Sequence, residues 1–167
     1  MISIHSIFVR NMSVQAKYRA LTQEELNELE KEFIDYLIVN GITAGDWVRI
    51  KEEDNEKAID IVTLFSDVIL EGVLRKIQFL EHRTKTDIKA FQCLGEKMVL
   101  VGMISENPNI DFRSEASFGD NTTPTGVKVY TTEKTYSKKR ELELFEMIQH
   151  GCQISDGHSF KTMSLAL

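Results

Sequence analysis

The segment from Glu56 to Glu81 constrains the fold more than any other part of the 167-residue chain. Its apolar residues recur at helical spacing and are spread around most of the helical circumference. A helix that is apolar on nearly every side has to be covered by other elements, so we predict a long central buried helix. The residues concerned are Ile59, Val62, Val68, Ile69, Leu70, Val73, Leu74, Ile77, Phe79 and Leu80.

Three shorter helices accompany this segment. Thr22 and Glu25 form a capping box at the start of the first helix, and Asn40-Gly41 offers a left-handed stop. Thr43 is placed to cap the second helix, and Ser137 is placed to cap the last, which Gly151 ends. We predict helices at about 22–39, 44–51 and 137–150 in addition to the central one.

The hydrophobic period changes after Arg83. Residues 87–94 and 97–104 are predicted to be strands joined by a Gly95-Glu96 turn, and 126–132 a third strand. The chain is therefore predicted to form a single α+β domain, with about four helices packed on a small, mainly antiparallel sheet. We expect that domain to span residues 13–167, after a loosely attached extension at residues 1–12. Residues 159–167 fit either a strand or a helix.

Charge and cysteine content narrow the class of protein. Twenty basic and 26 acidic residues give a formal charge of −6, which favours solubility and disfavours binding to nucleic acid. Cys93 and Cys152 form neither a disulfide framework nor a CxxC pair, so a reducing cytoplasm is the expected location. No apolar stretch approaches the ~20 residues that span a bilayer, so no membrane association is expected.

A polar stripe runs along the predicted central helix. At 100° per residue, Asp67, Glu71 and His82 fall within an arc of about 80°, together with Arg75 and Gln78. One interpretation is a solvent-facing edge with a Glu71–Arg75 ion pair. The alternative is that Asp67, Glu71 and His82 are catalytic or bind a cation, although four helical turns, ~22 Å, separate Asp67 from His82.

A second cluster contains residue types that bind zinc: His150, Cys152, Asp156 and His158. The paired spacing that is typical of structural zinc sites is missing. The alternative is that Cys152 is a small core residue and that the histidines lie on the surface.

A third candidate is the basic run Lys138, Lys139 and Arg140 at the start of the last helix. Positive charge there opposes the helix dipole, which is a reason to consider an anion site. The alternative is a set of solvated side chains on an acidic protein.

No dinucleotide-binding, phosphate-loop, zinc-protease or nucleophile-elbow motif is present. We therefore favour a non-enzymatic interaction or structural module that self-associates, or binds another protein, through the acidic first helix and the aromatic loop after Ser105. No cofactor is expected. Two alternatives stay open: a metal-dependent enzyme using a carboxylate and histidine site, and a phosphate or nucleic-acid binder using Lys138–Arg140.

Several short segments resemble a family of small bacterial cytoplasmic proteins of unknown function. The resemblance covers most of the chain from Tyr18 onward and implies no catalytic residues. It rests on Lys17-Tyr18-Arg19-Ala20-Leu21-Thr22, Leu64-Phe65-Ser66-Asp67, Glu71-Gly72-Val73-Leu74, Leu80-Glu81-His82 and Ser155-Asp156-Gly157.

Overall fold

The computed structural model describes residues 14–114 and 126–167. These residues form six helices and five strands, so the α+β class is confirmed, whereas the predicted number of about four helices is wrong. The predicted extension at residues 1–12 and the aromatic Phe118 lie outside the described residues. The elements are α1 (Gln23–Glu28), α2 (Glu30–Val39), α3 (Ala44–Glu53), α4 (Asn55–Lys76), β1 (Phe79–Arg83), β2 (Asp87–Cys93), β3 (Lys97–Ser105), β4 (Val127–Thr135), α5 (Arg140–Gln149), β5 (Gln153–Ser155) and α6 (His158–Ser164).

The chain divides into two compact units, with the boundary between Glu71 and Gly72 inside α4. The first unit contains α1 to α3 and most of α4. The second contains the end of α4, the sheet, α5 and α6. The prediction that residues 13–167 form one domain stays a prediction.

Local capping signals position the helices of the first unit. The Thr22 side chain accepts a hydrogen bond from Glu25 N at 3.2 Å, and the Glu25 carboxylate accepts one from Thr22 N at 2.8 Å. Thr43 caps α3 in the same way, as predicted. The helix predicted over 22–39 is divided at Leu29, which ends α1 and begins α2. Four residues, Leu37, Ile50, Ala58 and Ile61, form a buried cluster between these helices.

The prediction for the central helix is wrong in both length and burial. α4 ends at Lys76, and Phe79–Arg83 is a strand that pairs with β2 on one side and β5 on the other. Those long-range backbone hydrogen bonds override the helical spacing of the apolar residues. Ile59 and Val68 are more than half exposed, at 55% and 57%, so α4 is not covered on every side.

The sheet has the strand order β4-β3-β2-β1-β5, and every neighbouring pair is antiparallel. The three predicted strands correspond to β2, β3 and β4. The predicted turn at Gly95-Glu96 is confirmed by the hydrogen bond from Leu94 N to Lys97 O at 3.0 Å. The sequence did not reveal β1 and β5.

The two faces of the sheet have different neighbours. Ile88, Val101 and Met103 pack with Met163 of α6 in a buried cluster on one face. Lys89, Phe91 and Met98 alternate with these residues along the strands and therefore lie on the opposite face, beside α5. Residues 158–164 are thus helical, which decides between the two possibilities left open for the C-terminal segment.

The start of α5 differs from the prediction. Lys139, not Ser137, occupies the N-cap position and makes no capping hydrogen bond. Ser137 instead donates from both its backbone N–H and its hydroxyl to the carboxylate of Glu143, at 2.8 and 3.2 Å. Gly151 follows the helix with a φ of +100°, as predicted for the stop.

Candidate functional site

Asp67 and Glu71 of α4 hold the residues that precede α1. The Asp67 carboxylate accepts hydrogen bonds from Lys17 N at 2.8 Å and Tyr18 N at 3.1 Å. Glu71 accepts one from the Tyr18 hydroxyl at 2.6 Å and also pairs with the Lys17 ammonium. Both carboxylates therefore act as anchors for a segment about 50 residues earlier in the chain.

Two further residues of α4 extend this anchor, which we call the α4 track: Asp60, Ser66, Asp67 and Glu71. Asp60 accepts a hydrogen bond from Val14 N at 2.8 Å, and the Ser66 hydroxyl accepts one from Leu21 N at 3.0 Å. The track satisfies backbone N–H groups along residues 14–21 that no helix or strand satisfies. These contacts have a structural role, whereas the interpretation of the polar stripe as a solvent-facing edge with a Glu71–Arg75 ion pair stays a prediction.

His82 does not belong to that stripe. The predicted helical face required the helix to continue to His82, but His82 lies on β1, opposite Lys89 of β2. The prediction that Asp67, Glu71 and His82 share one face of a helix is therefore wrong. Its physical cause is the strand pairing of residues 79–83 described above.

His82 instead lines a cavity between the sheet and α5. The cavity has a volume of about 430 Å³, within the range of small-molecule sites. Phe91 and Met98 contribute from the sheet and Met147 from α5, so much of its wall is apolar. The complete lining is His82, Lys89, Phe91, Met98, Lys134, Ser137, Lys138, Glu143, Glu146, Met147, His150 and Cys152.

The carboxylates of this cavity already have partners. Glu143 is buried and is bound by Lys134 at 2.5 Å as well as by Ser137. Burial acts to raise the pKa of Glu143, but the hydrogen bonds from Lys134 and Ser137 outweigh it and the pKa is lowered. Glu146 is held by both of its oxygens to the Lys138 ammonium, at 2.7 and 2.8 Å.

The predicted metal ligands separate into two places. His150 and Cys152 line the cavity, whereas Asp156 lies at the start of α6 and accepts a hydrogen bond from His158 N at 2.8 Å. Burial raises the pKa of the Cys152 thiol, which disfavours the thiolate that binds metals. Within residues 14–114 and 126–167, no group of three or more His, Cys, Asp or Glu side chains is arranged to hold a metal ion.

The basic run at the start of α5 is engaged in contacts. Lys138 pairs with Glu146, and Lys139 lies 3.7 Å from Glu141. Arg140 has a different function: its guanidinium donates to four backbone carbonyl oxygens. These belong to Leu74 at 3.1 Å, Cys93 at 3.1 Å, Leu94 at 3.0 Å and Ile77.

The four contacts of Arg140 explain why a cation is present at a helix N-terminus. Leu74 lies in the last turn of α4, where carbonyl groups lack partners within the helix, and Ile77 directly follows the helix. Cys93 and Leu94 lie at the end of β2, before the turn to β3. Arg140 therefore connects the end of α4 with the end of β2. The sequence feature that pointed to an unusual role for Arg140 was the conflict between its positive charge and the dipole of α5.

The outer edge of β4 is a second candidate site, separate from the cavity beside α5. Tyr136 N donates to Glu96 O at 3.3 Å, next to the pairing of Thr135 with Lys97. In an antiparallel strand, the backbone N–H and C=O groups of every second residue form hydrogen bonds with the same neighbouring strand. Since Tyr136 bonds to the β3 side, the backbone groups of the even-numbered residues of β4 also point towards β3. The outward-facing N–H and C=O groups therefore belong to Val127, Val129, Thr131, Glu133 and Thr135.

No strand in the described part of the chain pairs with this outer edge. Every residue from 131 to 135 is exposed on its side chain as well. Nine residues are long for an edge strand, and Val, Thr and Tyr all have high strand propensity. Sequence reasoning placed a strand here without indicating that it would be at an edge.

None of the helices that the structure describes combines the length and hydrophobicity needed to cross a bilayer. No curated protein and no solved structure matches the chain. A family model described as "Family of unknown function (DUF6495)" matches residues 12–167. This match covers all but the first 11 residues, and the chain therefore belongs to the DUF6495 family, whose function is unknown.

Proposed function

We propose that this protein is a non-enzymatic interaction module that self-associates by pairing the outer edge of β4 with the same edge of a second copy. The observation that carries the proposal is the row of outward-facing backbone groups on this nine-residue strand. Addition of a strand to such an edge satisfies those groups and is a common mode of protein recognition. A second copy is the favoured partner because two-fold dimers are the commonest oligomers.

The sequence of β4 is compatible with two-fold pairing about Thr132. That axis places Thr131 opposite Glu133 of the second copy, and Tyr130 opposite Lys134 of the second copy. No like charges face each other in this register. An axis at Thr131 would instead place Lys128 opposite Lys134 of the second copy, which is repulsive.

The β4 edge is a better candidate than the aromatic loop after Ser105, which is one part of the surface favoured by the sequence. Residues 115–125 of the aromatic loop after Ser105 lie outside the described residues. In the described part of that loop, Ile110 and Phe112 are buried at 9% and 1% exposure and pack in the core against Ile88 and Met103. They are therefore occupied within the chain.

Two substitutions at one position test the proposal. In the register above, residue 131 of each copy faces Glu133 of the other copy. Thr131→Glu therefore creates two pairs of facing carboxylates in the dimer, whereas Thr131→Lys creates two pairs of opposite charges. Both variants lose the same hydrogen bond from Thr131 Oγ1 to Leu100 O, at 2.9 Å, so they are matched. We expect the dimer dissociation constant to rise about tenfold for Thr131→Glu and to fall for Thr131→Lys.

Analytical ultracentrifugation over a wide concentration range measures these constants. A wild-type chain that sediments as a monomer at every concentration would contradict the proposal. So would equal effects of the two substitutions, because charge at position 131 would then not face Glu133.

We propose in addition that the protein works in the cytoplasm. Cys93 and Cys152 are both free thiols, and Cys93 is buried. Free thiols are typical of a reducing compartment, which supports this location. Cell fractionation with an antibody to the chain tests it, and recovery outside the cytoplasmic fraction would refute it.

A further inference from the structure

We propose that the cavity between the sheet and α5 binds a small organic anion. Its apolar body would pack on Phe91 and Met147, and its anionic group would meet the ammonium of Lys89. This site is separate from the β4 edge and does not depend on self-association.

The hydrogen-bonding groups of the cavity favour an anion over a cation. Glu143 accepts three hydrogen bonds and Glu146 accepts two, and each carboxylate is already paired with a lysine ammonium of the chain. The hydrogen-bond donors of Lys89 have fewer partners than these carboxylates have. Lys89 has one ion-pair partner, Asp87 at 3.1 Å, for an ammonium that carries three N–H groups.

His82 adds a second donor at the same end of the cavity. It is directly opposite Lys89 in the β1–β2 ladder, and residues paired in this way lie on the same face about 5 Å apart. Its ring makes no hydrogen bond or ion pair within the described residues. Lys89 and His82 thus form a pair of adjacent donors that face the cavity together.

The rest of the wall determines the shape of the ligand. Phe91 and Met98 lie on the sheet side and Met147 on the helix side, so a flat apolar group can contact both layers at once. A cavity of about 430 Å³ accommodates a molecule with one ring and one acidic group. A fully hydrated inorganic ion would leave this apolar surface uncovered.

Benzoate is a suitable probe, with benzamide as its neutral counterpart of the same shape. Two-dimensional amide NMR of the full chain reports binding at each residue. We expect benzoate to shift the amide signals of Lys89, Phe91 and Met147 saturably, and benzamide to do so much more weakly.

Substitutions at Lys89 test the role of the charge. Lys89→Gln should raise the benzoate dissociation constant about tenfold, because it removes a charged hydrogen bond. Lys89→Arg should retain most of the affinity. Lys97→Gln is the control: Lys97 is also a strand lysine in an ion pair, with Glu133 of β4 at 2.6 Å, but it does not line the cavity.

Three results would each overturn the proposal: no saturable shift with benzoate, equal shifts with benzamide, or unchanged affinity in Lys89→Gln. The NMR spectrum of each variant shows whether it is folded. Thr131→Glu should bind benzoate as the wild type does, so failure of this site and failure of the β4 dimer are distinguished.

Discussion

The guanidinium of Arg140 donates a hydrogen bond to the carbonyl oxygen of Leu74, 66 residues earlier in the chain, at 3.1 Å. It also reaches the carbonyl groups of Ile77, Cys93 and Leu94. One partly buried side chain therefore satisfies the end of α4 and the end of β2 at once. The planar fork of arginine donors is suited to this geometry, and a lysine ammonium is not.

Arg140→Ala should lower the free energy of unfolding by about 3 kcal/mol, because it removes a charged donor that binds four backbone carbonyl groups. Arg140→Lys should recover part of that loss. Urea denaturation followed by circular dichroism measures both. Lys138→Ala is the control: it breaks an exposed ion pair with Glu146 and should cost less than about 1 kcal/mol. Equal losses for the two alanine variants would show that Arg140 has no special structural role.

Gly102 provides a second test of packing. A Cβ atom at this position would lie 2.3 Å from Cζ of Tyr130, whose ring covers the glycine and whose hydroxyl donates to Asp87 at 3.2 Å. Gly102→Ala should therefore destabilise the protein by about 2 kcal/mol. In a Tyr130→Ala background the same substitution should cost much less. Thermal unfolding of the four proteins measures the coupling, and additive effects would refute the contact.

The α4 track predicts a local effect of Asp67→Asn. An amide cannot replace both carboxylate oxygens that accept from Lys17 N and Tyr18 N. Hydrogen exchange at these two amides should accelerate about tenfold, while the helices keep their protection. Asp35→Asn, which affects an exposed pair with Lys31, should leave both amides unchanged. Unaltered exchange in Asp67→Asn would mean that the track does not hold residues 14–21.

Glu25 predicts a specific pH dependence. The hydrogen bonds from Arg19 and then from Thr22 N lower its pKa from 4.5 to about 2. Because the folded pKa is below the unfolded one, the stabilising contribution of Glu25 is complete above about pH 4.5 and is lost as the pH falls towards 2. Carboxyl-carbon NMR titration measures this pKa. Arg19→Gln should raise it, and Lys31→Gln should not; an unshifted value in Arg19→Gln would contradict the assignment.

Local chemistry made parts of the fold predictable. The capping box at Thr22, the cap at Thr43 and the Gly95-Glu96 turn depend on residues a few positions apart, and all three were predicted correctly. The conformation of residues 79–83 was not predicted correctly, because the spacing of their apolar side chains fits a helix as well as a strand. Their conformation is decided by β2 and by β5, whose residues 153–155 follow about 70 positions later. No local pattern contains that information.

The candidate site shows the same limit. Asp67 and Glu71 were correctly placed on one helical face, but their partners, Lys17 and Tyr18, come from a segment without regular structure. His82, which lies opposite Lys89, was singled out for another reason, as part of the predicted helical stripe. Their pairing across β1 and β2 depends on strand register, which a single sequence does not specify outside a tight turn.

The opposite border of the sheet is formed by β5, which has only three residues. So short a strand offers little backbone for another chain to join, and short terminal strands are one way in which proteins prevent open-ended growth. If copies join through β4, the combined ten-stranded sheet ends in β5 on both sides. Assembly by this route then stops at two copies and cannot continue into a fibre.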